Sequence, residues 1–255
     1  MRVRVLGCSA GIGAGLRTTS LLIDDDVLVD CGTGVGDLEL AAIRNIRHVF
    51  LTHAHLDHVA LLPLLIDTAF DQLKDRPLTV HCRPETQDAL RRHIFNWRIW
   101  PDFFALPDKT APAVTFEPQA PGESRAIGAR RFEMIEANHT VPAVAYRVQT
   151  AHAALVFSGD STSNDALWAA LNGHQRLDVL LVECAFPEAE RDLSRAAGHY
   201  CPSLLAADLI KLKHRPPVWI THLKPGAESA TMRELQVMLP QFDIQQLQAG
   251  QIFEL

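Results

Sequence analysis

The sequence predicts an α/β protein in which two sheets pack together with helices outside. Short β-rich runs alternate with amphipathic runs along the chain, and the second half repeats the style of the first without a sequence-level repeat. No low-complexity linker interrupts the pattern, so residues 1–255 read as one domain.

Each element follows from local pattern. Arg2–Gly7, Ser20–Asp24 and Val27–Asp30 are strands, and Asp24-Asp25-Asp26 makes the last two a hairpin. His48–Thr52 is a further apolar strand. A helical pattern begins at Asp57, where Pro63 must kink or shorten the helix. Pro84–Trp97 reads as a helix, and Ile99–Pro112, with its three prolines, as an irregular excursion. In the second half, strands are expected at Arg131–Ala137, Ala143–Val148, Ala154–Ser158, Val179–Val182 and Pro217–Thr221, and helices at Asn164–Leu171, Pro202–Leu212 and Glu228–Met238.

Composition narrows the function classes. With 47% hydrophobic and 21% charged residues the chain is globular, and disorder is excluded as its main state. A chain of this length hides roughly 70–75% of its unfolded surface, so stability needs neither disulfides nor a structural metal. The charge of −6, from 24 Lys+Arg against 30 Asp+Glu, opposes a polyanion gripped along many phosphates but not a small anion held locally. The five cysteines are odd in number and form no CxxC pair, which fits a reducing, cytoplasmic setting. The N-terminus lacks a long apolar run, and no uncharged stretch reaches about 18 residues, so neither a signal peptide nor a membrane span is expected.

Chemistry concentrates in Thr52-His53-Ala54-His55-Leu56-Asp57-His58, where His53, His55, Asp57 and His58 directly follow a strand. A loop can turn His53 and His55 to one point and Asp57 and His58 to another, which gives two adjacent cation sites with nitrogen and oxygen ligands. The competing reading is a polar helix start capped by Asp57, but three imidazoles are not needed for a cap.

At these residues the chain resembles the metallo-β-lactamase superfamily, whose HxHxDH motif is matched in full. Later strand-end residues then fall in the family's order: His139 after Ala137-Asn138, Asp160 in Ser158-Gly159-Asp160, and His222 in Ile220-Thr221-His222. The resemblance implies an αββα sandwich with a two-metal site at one edge. His53, His55 and His139 would hold one metal, Asp57, His58 and His222 the second, and Asp160 would bridge them. Asp30, in Val29-Asp30-Cys31-Gly32, matches an acidic position that orients a ligand loop from behind, or else simply forms a turn.

His199, in Gly198-His199-Tyr200, and Glu183, in Val182-Glu183-Cys184-Ala185-Phe186, resemble the branch that contains tRNase Z and the class II cyclic-nucleotide phosphodiesterases. In that branch a strand-end Glu orients a His that protonates the leaving oxygen. The class II group is the more similar, through the Gly-rich opening Gly7–Ser20, the His53–His58 motif and Thr221-His222-Leu223-Lys224-Pro225. The opening departs from the longer eukaryotic pattern, and the chain is shorter than those enzymes.

The implied function is hydrolysis of 3′,5′-cyclic nucleotides to 5′-nucleoside monophosphates on two divalent metal ions, zinc first, with manganese or iron as alternatives. Asp57, His199 and Glu183 are the expected catalytic residues. Lys224 is expected to meet a phosphate. Trp97 and Trp100 lie in an aromatic stretch that reads as a base-stacking face, as core, or as a homodimer contact. No membrane and no extended nucleic-acid partner is expected. The rivals are a tRNase Z-like RNA 3′-processing endonuclease, a lactone or thioester hydrolase on the same metals, and a non-catalytic metal carrier. His48, His81, His93, His152, His174 and His214 match no motif and read as surface or core residues.

Overall fold

The computed structural model describes residues 1–255. In chain order the strands are β1 (Arg2–Gly7), β2 (Ser20–Ile23), β3 (Val27–Val29), β4 (His48–Phe50), β5 (Leu78–Cys82), the two-residue β6 (Pro107–Asp108) and β7 (Ala111–Pro112), and β8 (Val114–Pro118). They continue with β9 (Ser124–Ile127), β10 (Arg130–Ala137), β11 (Ala143–Gln149), β12 (Ala154–Phe157), β13 (Val179–Glu183), β14 (Val218–Thr221), β15 (Ile244–Gln246) and β16 (Ile252–Glu254). The helices are α1 (Leu40–Ile43), α2 (Leu56–Val59), α3 (Leu62–Leu73), α4 (Pro84–His93), α5 (Asp165–Gly173), α6 (Arg191–Ala196), α7 (Pro202–Leu209) and α8 (Glu228–Met238). None is long and apolar enough to cross a membrane.

Two seven-stranded mixed sheets result, in the orders β16-β1-β2-β3-β4-β5-β8 and β15-β14-β13-β12-β11-β10-β9. In the first sheet, pairing is antiparallel from β16 to β3 and parallel from β3 to β8. The second has the complementary arrangement, parallel from β15 to β12 and antiparallel from β12 to β9.

Side-chain alternation builds the layers. Leu21, Ile23, Val27, Val29 and Phe50 point between the sheets and meet Phe132, Met134, Tyr146, Phe157 and Leu181. Their in-between neighbours Leu22 and Leu28 turn outward beneath α3, and Leu180 and Val182 turn outward beneath α5, α7 and α8. Strands buried on both faces explain the near-continuous apolar runs in the sequence. Phe50 stacks on Phe132 at 4.2 Å between ring centroids, and the Tyr146 hydroxyl donates to the Leu51 carbonyl at 3.1 Å, which ties one sheet to the other.

Several boundaries differ from expectation for local reasons. The strands expected to reach Asp24 and Asp30 stop one residue earlier because both aspartates adopt left-handed backbone (φ 52° and 59°). The helical pattern from Asp57 divides into α2 and α3, with Pro63 in the first turn of α3, where its missing N–H costs nothing. The helix expected over Pro84–Trp97 ends at His93, and Trp97 is left-handed (φ 63°). The helix expected from Pro202 to Leu212 ends at Leu209. Strands β5 to β9, β15 and β16 and helices α1 and α6 lie outside the expected elements.

Candidate metal centre

All the strands that end at the site deliver their carboxyl ends to one edge of the sandwich, the usual location for ligands in open α/β sheets. β4 leads to His53, β10 to His139, β12 to Asp160, β13 ends at Glu183, and β14 leads to His222. The connecting turns are tight. Gly159 is left-handed (φ 59°), and a Cβ there would lie 2.7 Å from the Val144 carbonyl oxygen and 3.1 Å from the Thr52 side chain. Only glycine lets the chain turn Asp160 inward at that point. His222 adopts the same left-handed backbone (φ 59°) with a side chain, the kind of strain that persists where surroundings over-determine it.

The side chains converge as two groups that share one residue. His53, His55, His139 and Asp160 form the first, and Asp57, His58, Asp160 and His222 the second, with candidate ligand atoms within 4.8 Å of one another in each. Asp160 Oδ1 lies 3.2 Å from His58 Nε2, while its Oδ2 lies 3.3 Å from His222 Nε2 and 3.7 Å from His53 Nε2. Asp57 Oδ2 is 3.6 Å from His58 Nε2 and 3.8 Å from His222 Nε2. In the other group His139 Nε2 is 3.1 Å from His55 Nδ1.

Hydrogen bonds from behind set which nitrogen faces inward. His58 Nδ1 donates to Asp30 at 2.7 Å, and His139 Nδ1 donates to the Gly198 carbonyl at 2.8 Å, so both present Nε2. Asp30 also accepts the Thr52 N–H at 2.8 Å and its hydroxyl at 2.9 Å, which pins the strand end that carries His53. Burial pushes the Asp30 carboxyl above the usual range, against the pull of His58 and Thr52.

The residues fit divalent cations. His53 and His58 are fully buried, yet their Nε2 atoms have no hydrogen-bond partner, an arrangement that is costly unless a ligand completes it. Burial, and then the neighbouring His58, hold the His53 imidazole well below its ordinary value, in the neutral form that ligates. Burial would raise Asp160, but the charges of His222 and His58 outweigh it and keep the carboxyl well below the usual range.

Beside the cluster, His199 Nδ1 donates to Glu183 at 2.8 Å. The Glu183 carboxylate is fully buried and also accepts backbone N–H groups of Ser161 at 3.0 Å and Ala185 at 2.9 Å. The His199 ring stacks at 5.3 Å on His222 and meets His139 edge-on at 4.9 Å. Burial alone would lower the His199 imidazole; the charge and hydrogen bond of Glu183, with Asp160 beyond, outweigh it and raise it. Lys224 stands near enough for its charge to oppose that rise, with its Nζ 5.0 Å from the Phe186 ring centre.

The aromatic stretch lies elsewhere. Trp97 is 63% exposed, and Trp100 packs against the core beneath the first sheet's helices, together with Phe95, Phe103 and Phe104. Neither meets a residue of the cluster. The aromatic ring that does is Phe186, 5.7 Å from His199, which the sequence reading passed over although it follows the Glu183 strand end directly.

Comparison with known proteins places this architecture. The family described as "Beta-lactamase superfamily domain" matches residues 25–223. A probable 3′,5′-cyclic-nucleotide phosphodiesterase of Yersinia pestis is 30% identical over 208 residues, 72% of this chain and 58% of that protein. A ribonuclease Z of Halorubrum lacusprofundi is 31% identical over 140 residues, 52% of this chain and 42% of that protein. The matches thus span about half the length of these curated relatives. The structure of unliganded yeast PDE1 superposes with a TM-score of 0.83 at 18% identity, covering 100% of this chain and 99% of that one. With the family's pattern running through most of the chain and its sandwich of mixed sheets reproduced, this protein belongs to the β-lactamase superfamily and has the metallo-β-lactamase fold.

Proposed function

We propose that the protein is a dinuclear metal-dependent phosphodiesterase that hydrolyses 3′,5′-cyclic nucleotides to 5′-nucleoside monophosphates. The observation that carries this reading is the 2.8 Å hydrogen bond between His199 and Glu183 beside the two ligand groups. Cleaving a phosphodiester expels an alkoxide, which needs a proton. An imidazole whose charged form a buried carboxylate favours can give one, for about 10²–10⁴-fold in rate.

His53, His55 and His139 would hold one cation, Asp57, His58 and His222 the other, and Asp160 both. Bound there, two divalent cations, zinc by preference, supply charge neutralisation at the phosphoryl oxygens and activation of water. Asp57, only partly buried at 31% side-chain exposure, would orient the attacking water. Glu183 occupies His199 Nδ1 and so leaves Nε2 for the leaving oxygen. Lys224 adds a point charge for the phosphate. The name of the Yersinia pestis relative supports the substrate class.

The ribonuclease Z relative supports a second reading, RNA cleavage at the same site. The chain's charge of −6 weighs against it, because an RNA grip needs an extended cationic track. The test is a panel of 3′,5′-cyclic AMP, 3′,5′-cyclic GMP, precursor tRNA, a lactone and a thioester, assayed with zinc and with manganese. Cyclic nucleotides should give 5′ monophosphates. Cleavage of precursor tRNA, or lactone turnover far above phosphodiester turnover, overturns the proposal, and release of 3′ monophosphate overturns the role given to His199.

A further inference from the structure

Hydrolysis of a 3′,5′-cyclic phosphate opens a ring, so the leaving oxygen and the phosphate stay on one nucleoside, and specificity depends on what receives that nucleoside. A cleft of about 670 Å³ is lined by Phe186, Pro187, Leu193, Lys224 and Pro225, and the Phe186 ring lies 5.7 Å from the His199 ring. That volume lies within the ~300–1,000 Å³ typical of small-molecule sites. The segments that follow β13 and β14, which supply Phe186 and Lys224 to the cleft, are joined by the Lys224 N–H donating to the Ala185 carbonyl at 3.0 Å. The two prolines fix the walls before any ligand arrives.

The cleft is chemically simple. Phe186 is almost fully buried and links it to the centre, 5.7 Å from the His199 ring. Lys224 offers one cation and Glu190 one acid. Leu193 on α6 is 54% exposed, an apolar side chain left over the cleft without cover. A single cation cannot track a polynucleotide backbone, whereas the exposed Leu193 side chain offers one flat base an apolar contact, and the buried Phe186 ring, with Lys224 Nζ over it at 5.0 Å, shapes the wall behind.

Resting on the phosphodiesterase reading, we infer that this cleft takes the nucleoside carried by the leaving oxygen, and that Leu193 and Phe186 determine specificity there. The protonating nitrogen of His199 marks where the leaving oxygen must stand, and the nucleoside bonded to that oxygen would reach the cleft past Phe186, which borders both. Trp97 and Trp100 then have no part in binding the base.

Leu193 tests the inference because its exposure makes truncation harmless to the core. Leu193→Ser should raise KM for 3′,5′-cyclic AMP and the inhibition constant of 5′-AMP by about three- to tenfold, the loss of one partly buried apolar contact. The kcat should stay within about twofold and the inhibition constant of inorganic phosphate should not move. Leu193→Trp, which fills the cleft, should separate 5′-AMP from phosphate in the same direction. Parallel shifts for both inhibitors, or none for either in a variant with unchanged Tm and metal content, overturn the assignment. If cyclic nucleotides prove not to be substrates, inhibition of bis(p-nitrophenyl) phosphate hydrolysis by 5′-AMP and by phosphate still reads the cleft, so the two failures are distinguishable.

Discussion

Asp30 receives the Nδ1 proton of His58 at 2.7 Å from a fully buried position whose backbone is left-handed (φ 59°). One carboxylate thereby fixes the tautomer of a candidate ligand and, through Thr52, the strand end that carries His53. Asp30→Asn keeps the shape but cannot accept from His58 and Thr52 with the same charge. Metal affinity should fall by about 10–100-fold, measured as metal content after dialysis against graded chelator. Retention equal to wild type would reduce Asp30 to a turn residue.

Asp160 is the residue common to both ligand groups. Asp160→Ala should therefore lower occupancy at two sites together, whereas His139→Ala should weaken one more than the other. Stoichiometry by mass spectrometry under native conditions reads this directly. One cation lost from Asp160→Ala with the second fully retained would contradict a shared ligand.

Where local pattern and burial agree, the fold was legible. β10 largely alternates buried apolar with exposed polar residues and β11 is mostly apolar and buried up to Val148, so their expected ends lie within one residue of the observed ones. The missed strands β9, β15 and β16 are short edge or near-edge strands with half-exposed residues, so they carry no strong period, and β8 ends on a proline. The spacing of His53, His55, Asp57 and His58 was legible because those residues are neighbours in sequence. What brings Phe186 to His199 is the packing of a loop after one strand against a turn before α7, which no local spacing records. For the stretch with Trp97 and Trp100 the sequence leaves a base-stacking face, core and a homodimer contact open; Trp100 packs on the core that holds Phe95 and Phe103, while Trp97 is exposed, a difference that aromatic density does not encode.

Removing the His199 side chain should leave both ligand groups intact and slow the chemistry. His199→Ala is expected to retain metal, to lose about 10²–10⁴-fold in kcat on cyclic nucleotides, and to lose far less on an aryl phosphodiester whose leaving group needs no proton. Glu183 is a poorer probe, because its carboxylate also holds the N–H groups of Ser161 and Ala185, so Glu183→Gln disturbs the loop that carries Asp160 as well. Collapse of metal content in His199→Ala would make it a ligand rather than an acid.

A histidine outside the site should govern stability in acid. His81 is 1% exposed, stacks on Phe50 at 4.1 Å, and shares a proton with His48 across 3.1 Å. Its Nδ1 has no hydrogen-bond partner, and Glu117, at 3.6 Å, is more than half exposed and therefore screened. Burial first, then the charges of His48 and Arg125, push the His81 imidazole down to about 3. The unfolded chain, with an ordinary value of about 6.5, binds a proton that the folded chain refuses. Stability contributed by keeping His81 neutral is thus complete above about pH 6.5 and is lost as pH falls toward the folded value, by about 2 kcal/mol at pH 5. His81→Phe preserves the stack on Phe50 and removes the titration. Its unfolding free energy, measured in urea from pH 7.5 to 4.5 on protein stripped of metal, should fall less steeply than that of wild type. Parallel curves for the two proteins would mean that His81 stays unprotonated in the unfolded chain as well, or that the folded chain admits the proton without cost.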